Sequence, residues 1–353
     1  MTPTRMSFAL PLLAAVAAYA APAVAQNDHG NPNMAPVNDL PNPYSGRQVM
    51  PLPDGRTWGS TAGVDAAKGR DDIWAIDRCA SNTCVGSHSN PLLHYDAAGN
   101  LIGQMGADLF AFPHGIHVDQ EGNVWVTDPL PPDGRGAGGD VGQQVTKLSP
   151  TGEILLQLGT RKVAGDEPNQ FSSPSDVVVG RNGDIFVADG HNQDGNNRIV
   201  KFSKDGKFIK AFGETGHGPG QLRAPHALAM DASGRIFVAD RANQRIVIFD
   251  QDGKFLTRWT QFGMPSDIVI EANGKIYVAD SESDMNENPG WEKGIRIGDV
   301  KTGWVEYFIL DTGDNPPITA GGSGAESIAV DRHGNIFAGE PRPQRLQKYV
   351  KVR

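Results

Sequence analysis

Residues 224–240 read APHALAMDASGRIFVAD and determine the fold, because the same pattern recurs along the chain. The stretch holds two short runs of alternating apolar residues around a glycine-containing turn, which is the pattern of a β-hairpin. The run RIVIF at 245–249 predicts a third strand, and FLTRW at 255–259 predicts a fourth. One unit of the repeat therefore predicts a four-stranded antiparallel sheet.

Six copies of this unit can be aligned on the acidic residue that ends the second strand. These acids are Asp77, Asp128, Asp189, Asp240, Asp280 and Glu340. Four strands per unit, repeated at intervals of roughly forty to sixty residues, are typical of β-propeller blades. A lone blade leaves both sheet faces uncovered, whereas a ring of six buries them. The sequence predicts an all-β fold, a six-bladed β-propeller.

The last copy lacks a fourth strand. Its third strand covers 345–350, and the sequence ends at Arg353. We expect the stretch around 48–52 to pair with the last blade, so that an N-terminal strand closes the ring. The propeller is then predicted to cover 47–353, after a flexible arm at 26–46 that is rich in Asn, Pro and Gly.

The first 25 residues have the pattern of a secretory signal peptide. Arg5 precedes an apolar run at 8–21, and Ala23-Val24-Ala25 gives a cleavage site. The run is short for a membrane span, although an uncleaved anchor is the alternative. The sequence predicts a periplasmic or secreted protein.

The net charge of the chain limits the kinds of partner that we expect. The net charge is −9 and no basic cluster occurs, so nucleic acid and anionic membranes are not expected partners. We expect a monomer that acts on a small-molecule or peptide-like substrate.

Cys79 and Cys84 are the two cysteines, and in an oxidising compartment they are expected to form a local disulfide. Two free buried thiols are the alternative.

One position of the repeat predicts a metal site on the axis of the ring. The residues fourteen positions before the terminal acids are Gly63, His114, Ser175, His226, Ser266 and Glu326. His114, His226 and Glu326 fall in copies two, four and six, so they are expected about 120° apart and facing the axis. Two imidazoles and a carboxylate form an open metal site, for which zinc is the first candidate and iron or manganese are alternatives. Structural histidines are the competing interpretation.

The position after each terminal acid is expected at the mouth of the channel. These residues are Arg78, Pro129, Gly190, Arg241, Ser281 and Pro341. Arg78 and Arg241 are candidates to hold an anionic substrate group, or to form surface ion pairs with Asp77 and Asp240. His191 has three roles open to it: general base, additional metal ligand, or exposed side chain.

The copies resemble NHL repeats in their G-[ND]-I-[FY]-V-A-D core and N-x-R-I strand. PHGI at 113–116, PHAL at 225–228 and ADRANQRI at 239–246 resemble the peptidyl-α-hydroxyglycine α-amidating lyases. The resemblance implies a six-bladed propeller with zinc on three histidines, which cleaves a C–N bond to give a peptide amide and glyoxylate. Two of these histidines match His114 and His226, and the family's two site arginines match Arg78 and Arg241.

Three positions depart from that family. Glu326 stands where the family has its third histidine, and His191 stands at its active-site tyrosine. The family's structural calcium uses a carbonyl that matches Ile116 and an aspartate that is Ser327 here, which puts calcium binding in doubt.

These residues predict a metal-dependent lyase that cleaves a C–N or C–O bond at a hydroxylated carbon. The metal lowers the pKa of the substrate hydroxyl, His191 accepts its proton, and Arg78 with Arg241 holds a carboxylate or oxyanion. Two alternatives are open: a metal-dependent hydrolase such as a lactonase, and a non-catalytic NHL propeller that binds protein or glycan.

Overall fold

The computed structural model describes residues 36–52, 55–67, 71–129, 141–191, 195–311, 324–342 and 344–352. Within these ranges the chain forms six four-stranded antiparallel sheets, one for each copy of the repeat. The predicted six-bladed β-propeller is confirmed. The signal peptide predicted for 1–25 lies outside the described residues, among which no helix has the length and apolarity to cross a membrane.

The described strands follow one another around the ring in chain order. They are β1 (Tyr44–Val49), β2 (Val64–Ala66), β3 (Ile73–Ile76), β4 (Leu92–Tyr95), β5 (Leu101–Met105), β6 (Ile116–Val118), β7 (Val124–Asp128), β8 (Gln144–Leu148), β9 (Ile154–Leu158), β10 (Pro174–Val179), β11 (Ile185–Asp189), β12 (Arg198–Phe202), β13 (Phe208–Phe212), β14 (Pro225–Met230), β15 (Ile236–Asp240), β16 (Arg245–Phe249), β17 (Phe255–Trp259), β18 (Pro265–Ile270), β19 (Lys275–Asp280), β20 (Gly294–Asp299), β21 (Val305–Leu310), β22 (Ser327–Val330), β23 (Ile336–Glu340) and β24 (Arg345–Lys351). A 3-10 turn at Arg241–Asn243 links β15 to β16. Blade one holds β2–β5, and each of the next four blades holds the following four strands.

An N-terminal strand closes the ring, as expected. Blade six has the order β1-β24-β23-β22, and β1 pairs antiparallel with β24. The closing strand is Tyr44–Val49 and not the stretch 48–52. Pairing begins at Tyr44, opposite Lys351, because the buried Tyr44 packs in the apolar cluster between blades five and six. It ends at Met50, whose N–H donates to the carbonyl of Leu346 at 2.9 Å.

The core is divided among the interfaces between neighbouring blades. Six apolar clusters are found in the described residues, each shared by two adjacent blades. Between blades four and five, for example, Phe237 and Ile246 pack with Ile268 and Ile276. Burial of one such side chain contributes about 1.5–3 kcal/mol. The stability of every blade therefore depends on its neighbours.

The terminal acid of each copy ties its blade together. Asp240 is fully buried and accepts hydrogen bonds from the backbone N–H of Arg223 at 2.6 Å and from Nε of Arg245 at 2.7 Å. Asp77 is likewise buried and bonded to Arg56. A buried carboxylate requires such partners. Because these arginines already pair with the two acids, the surface ion pairs considered for the mouth arginines are wrong.

Candidate metal centre

A central cavity of about 880 Å³ runs along the axis of the ring. All six residues of the register position line it, as the repeat predicted. They are Gly63, His114, Ser175, His226, Ser266 and Glu326. The register of the repeat therefore identified the residues that face the axis.

Two histidines from alternate blades present the same nitrogen to the cavity. His114 and His226 are each only 2% exposed. Nδ1 of His114 lies 2.9 Å from the carbonyl oxygen of Ser175, and Nδ1 of His226 lies 2.6 Å from that of Ser266. A ring nitrogen facing a carbonyl must carry the proton, which leaves Nε2 with its lone pair. Both imidazoles are thus oriented as metal ligands usually are.

Glu326 completes a set of three converging electron-pair donors. Its Oε1 atom lies 3.4 Å from Nε2 of His114 and 3.3 Å from Nε2 of His226. Burial lowers the pKa of His114, and burial together with the charge of Arg241 lowers the pKa of His226 to about 3. Both rings are therefore neutral at pH 7, and within the described residues neither Nε2 has a hydrogen-bond partner. Buried acceptors that face one another without a proton fit a bound cation.

His191 belongs to the same cluster. It follows β11, and its backbone N–H donates to the carbonyl of Ser173 at 2.8 Å. Its ring stands edge-on to His114 with 4.4 Å between centroids, and it lies 5.1 Å from the ring of His226. One donor atom from each of these three histidines and one from Glu326 all lie within 4.8 Å of one another. The exposed role considered for His191 is therefore wrong, while the ligand and base roles both fit its position.

Arg78 provides a buried positive charge beside the cluster. Its guanidinium lies 3.5 Å from the centroid of the Phe112 ring, and it donates to the Pro113 carbonyl and to Oδ1 of Asn82, both at 3.0 Å. In the described structure its Nη2 is buried without a hydrogen-bond partner. Burial lowers its pKa to about 10, opposed by the charge of Glu326, so the group is cationic at neutral pH. An unpaired buried guanidinium N–H suits an anionic ligand.

The segment after this arginine is pinned by a disulfide. Cys79 and Cys84 are bonded to each other, which confirms the pairing expected from sequence. Cys79 and Ala80 both have positive φ angles, 55° and 58°. Non-glycine residues hold this backbone only where their surroundings fix it. The disulfide thus helps to fix the loop from which Arg78 extends.

Two further charged groups, Arg241 and Glu282, interact electrostatically with the cluster. Arg241 opens the 3-10 turn, and its charge contributes to lowering the pKa of His226. Glu282 was missed by the sequence analysis, although it directly follows the predicted mouth residue Ser281. Burial raises the pKa of Glu282, and Arg241 opposes the rise. The Oγ atoms of Ser281 and Ser266 are 2.7 Å apart, which ties this loop to the axial position.

The profile of the NHL repeat family matches residues 171–202 and 222–249, which form most of blades three and four. The structure has six four-stranded blades in all. This chain is a six-bladed β-propeller that carries NHL repeats. It also resembles the peptidyl-α-hydroxyglycine α-amidating lyases.

Several relatives of this NHL propeller are named as amidating enzymes. A probable peptidyl-alpha-hydroxyglycine alpha-amidating lyase from Caenorhabditis elegans is 30% identical over 254 residues, which are 70% of this chain and 66% of that protein. A peptidyl-glycine alpha-amidating monooxygenase B from Xenopus laevis is 37% identical over 267 residues, again 70% of this chain but 27% of the relative. The NHL propeller thus spans less than two thirds of either protein.

Solved structures share the fold at low identity. A gluconolactonase from Xanthomonas campestris has a TM-score of 0.56 and 14% identity, covering 89% of this NHL propeller and 99% of that chain. At such identity the likeness concerns the fold alone.

Proposed function

We propose that this NHL propeller is an exported, metal-dependent lyase that cleaves a C–N or C–O bond at a hydroxylated carbon. One observation carries the proposal: two buried imidazole Nε2 atoms, neither with a hydrogen-bond partner among the described residues, converge on a carboxylate oxygen at 3.4 and 3.3 Å. The names of its relatives support the lyase class, with a peptidyl-α-hydroxyglycine as the first substrate to test.

His114, His226 and Glu326 would hold a divalent ion. Two nitrogen donors and one carboxylate suit zinc, whereas calcium and magnesium prefer oxygen ligands throughout. Bound there, the ion would lower the pKa of a substrate hydroxyl. The ligand carboxylate makes the bound ion less electrophilic than a third neutral imidazole would.

The residues at the mouth supply the remaining functions of the proposed reaction. Arg78 and Arg241 bind the anionic group of the substrate through charge-assisted hydrogen bonds. His191, whose pKa is lowered by burial and by its histidine neighbours, is neutral and accepts the hydroxyl proton. An electron pair of the deprotonated hydroxyl oxygen forms the carbonyl group, and the C–N or C–O bond breaks. The leaving nitrogen or oxygen takes the bonding electrons and picks up a proton.

Export is proposed from two features that agree. The signal-peptide pattern at 1–25 predicts secretion, and the Cys79–Cys84 disulfide fits an oxidising compartment.

Hydrolysis is the second candidate function. It is favoured by the shared fold with a gluconolactonase, since a propeller of this shape places a polar axial site in a central cavity. Products formed in ¹⁸O-labelled water separate the two candidates. Hydrolysis leaves solvent oxygen in a carboxylate product, which does not exchange it readily, whereas the lyase releases an unlabelled amide or alcohol beside its carbonyl product.

The first test is elemental analysis of protein purified without chelator or nickel resin. We expect one equivalent of a divalent metal in the wild type and in His88→Ala, which removes an exposed imidazole. His114→Ala should lose both the metal and the cleavage of a peptidyl-α-hydroxyglycine. A wild type that holds no metal and does not cleave this substrate contradicts the proposal and favours a binding propeller. A metal-free wild type whose turnover is unchanged in His114→Ala contradicts the role of the metal.

A further inference from the structure

His191 differs from the other members of the metal cluster in where it stands. Glu326 immediately precedes β22, the first strand of blade six, and His114 lies two residues before β6, the first strand of blade two. His226 lies within β14. His191 instead follows the second strand of blade three, on the loop at the mouth. We propose that His191 is the fourth protein ligand of the metal in the substrate-free protein. This inference rests on the metal site of the proposed function.

Two of the distances between donor atoms match a tetrahedral shell. Around an ion with bonds of about 2.1 Å, neighbouring tetrahedral ligands lie about 3.4 Å apart, whereas octahedral neighbours lie about 3.0 Å apart. Oε1 of Glu326 lies 3.4 Å from Nε2 of His114 and 3.3 Å from Nε2 of His226. These two edges match a tetrahedron, which has a fourth corner.

The fourth corner lies within reach of His191. Its donor nitrogen is within 4.8 Å of each of the other three donor atoms, and in the described residues no other His, Cys, Asp or Glu joins this group. Its ring stands at 77° to that of His114 and at 42° to that of His226. Edge-to-face packing alone explains the contact with His114, but it does not require a nitrogen near the carboxylate of Glu326. A common cation explains both.

A shell of three imidazoles and one carboxylate has a consequence for the reaction. A four-coordinate ion with only protein ligands has no position for substrate. A substrate oxygen must therefore displace one ligand or add as a fifth. His114 and Glu326 donate their backbone N–H groups to β7 and β23, and His226 lies within β14. The backbone N–H of His191 instead donates to the carbonyl of Ser173, outside the strands. His191 would therefore be the ligand that leaves, and its freed nitrogen would then lie next to the hydroxyl whose proton it accepts.

The experiment uses the full-length mature protein loaded with Co²⁺ alone. The imidazole count is measured by X-ray absorption, the coordination number by visible spectroscopy, and the affinity by competition with a chelator. His191→Phe keeps the ring packed against His114 but removes the nitrogens, and His191→Gln is a second, polar variant. His88→Gln is the matched control on the surface.

We expect three imidazoles and an intense four-coordinate spectrum in the wild type and the control. Both His191 variants should show two imidazoles, a weaker spectrum with water bound, and an affinity lower by about tenfold or more, since even an indirect partner of a ligand is worth 10–100-fold. Equal counts and affinities in wild type and variants would overturn the inference and leave the metal site of the proposed function standing. A wild type that takes up no Co²⁺ would instead remove the proposed function itself. Circular dichroism confirms folding of each variant.

Discussion

Nδ1 of His226 in blade four donates a 2.6 Å hydrogen bond to the carbonyl oxygen of Ser266 in blade five. His114 in blade two has the same relationship with Ser175 in blade three, at 2.9 Å. Each imidazole is therefore oriented by the backbone of the next blade. The geometry of the proposed metal centre depends on the packing of the ring as a whole, and residues outside the site help to set it.

Glu326→His should convert the cluster to the all-imidazole set of the amidating lyases. Replacing a charged ligand by a neutral one raises the net charge of the bound centre, which lowers the pKa of an oxygen ligand on it. We expect the pH–rate profile of the cleavage reaction to shift toward lower pH while the metal content is retained. Glu326→Gln, which loses the charge and binds metal weakly, is the comparison. A profile that does not move would show that the carboxylate is not a ligand.

Arg78→Met should weaken binding of the anionic substrate group. The side chain still covers Phe112, but the buried guanidinium with its unpartnered Nη2 is gone. Loss of a charge-assisted hydrogen bond costs about 2 kcal/mol, so KM should rise roughly 30-fold. Arg332→Met removes an exposed arginine and should have no effect. A fall in kcat with unchanged KM would assign Arg78 to the transition state instead.

Deprotonation of Asp267 should lower the free energy of unfolding as the pH rises. Its carboxylate is partly buried in the wall of the central cavity and accepts from the N–H groups of Ile328 and Ile268, both at 2.7 Å. Burial, with added repulsion from Asp65 and Glu326, raises its pKa from 3.8 to about 7. The folded protein thus keeps a proton that the unfolded chain releases. The stability that the protonated carboxyl of Asp267 contributes is fully present below about pH 4 and is lost as the pH rises to about 7.

The check on Asp267 is the free energy of unfolding of wild type and Asp267→Asn, measured in urea between about pH 4.5 and 8. The amide stays neutral throughout, so the stability of the variant relative to wild type should increase with pH. Asp205→Asn, on an exposed turn, should follow the wild type. Parallel curves for Asp267→Asn and wild type would show that this carboxyl is ionised across the whole range.

The repeat explains why the axial ligands could be predicted and other parts of the site could not. Six copies in register assign His114 and His226 to equivalent positions, and the ring symmetry then brings them together. The carbonyl of Ser266 has no such signal, because any residue supplies a carbonyl. Glu282 follows the mouth position but lies in a loop outside the repeat. The closing strand was misplaced by a few residues because no repeat signal marks Tyr44, which packs between blades five and six and begins the pairing.

Loss of the Cys79–Cys84 disulfide should affect both stability and substrate binding. The bond closes a short loop, for which the chain-entropy relation gives about 2 kcal/mol. Because this loop carries Arg78 at its start, the double variant Cys79→Ser/Cys84→Ser should show a Tm lower by a few degrees and a raised KM. Reductant should do the same to the wild type and nothing to the double variant. A change in Tm with unchanged KM would separate the disulfide from the site.

Removal of the closing strand should open the ring, whereas removal of the residues before Pro36 should not. β1 supplies the outer strand of blade six. Just before it, Val37 and Asn38 accept hydrogen bonds from Nε and Nη2 of the buried Arg296 at 3.0 and 2.9 Å. A chain starting at Pro36 keeps all of these contacts and should melt at the temperature of the chain starting at Gln26.

A chain that starts at Met50 loses the strand and two acceptors of the buried Arg296, which keeps its bonds to Asp280 and to the carbonyl of Glu292. We expect it to lose cooperative unfolding in calorimetry and to bind Co²⁺ weakly, because the metal ligands depend on the packing of neighbouring blades. A chain starting at Tyr44 separates the two contributions: it retains β1 but lacks Val37 and Asn38. An unchanged Tm for the chain starting at Met50 would show that the ring holds together without the closing strand.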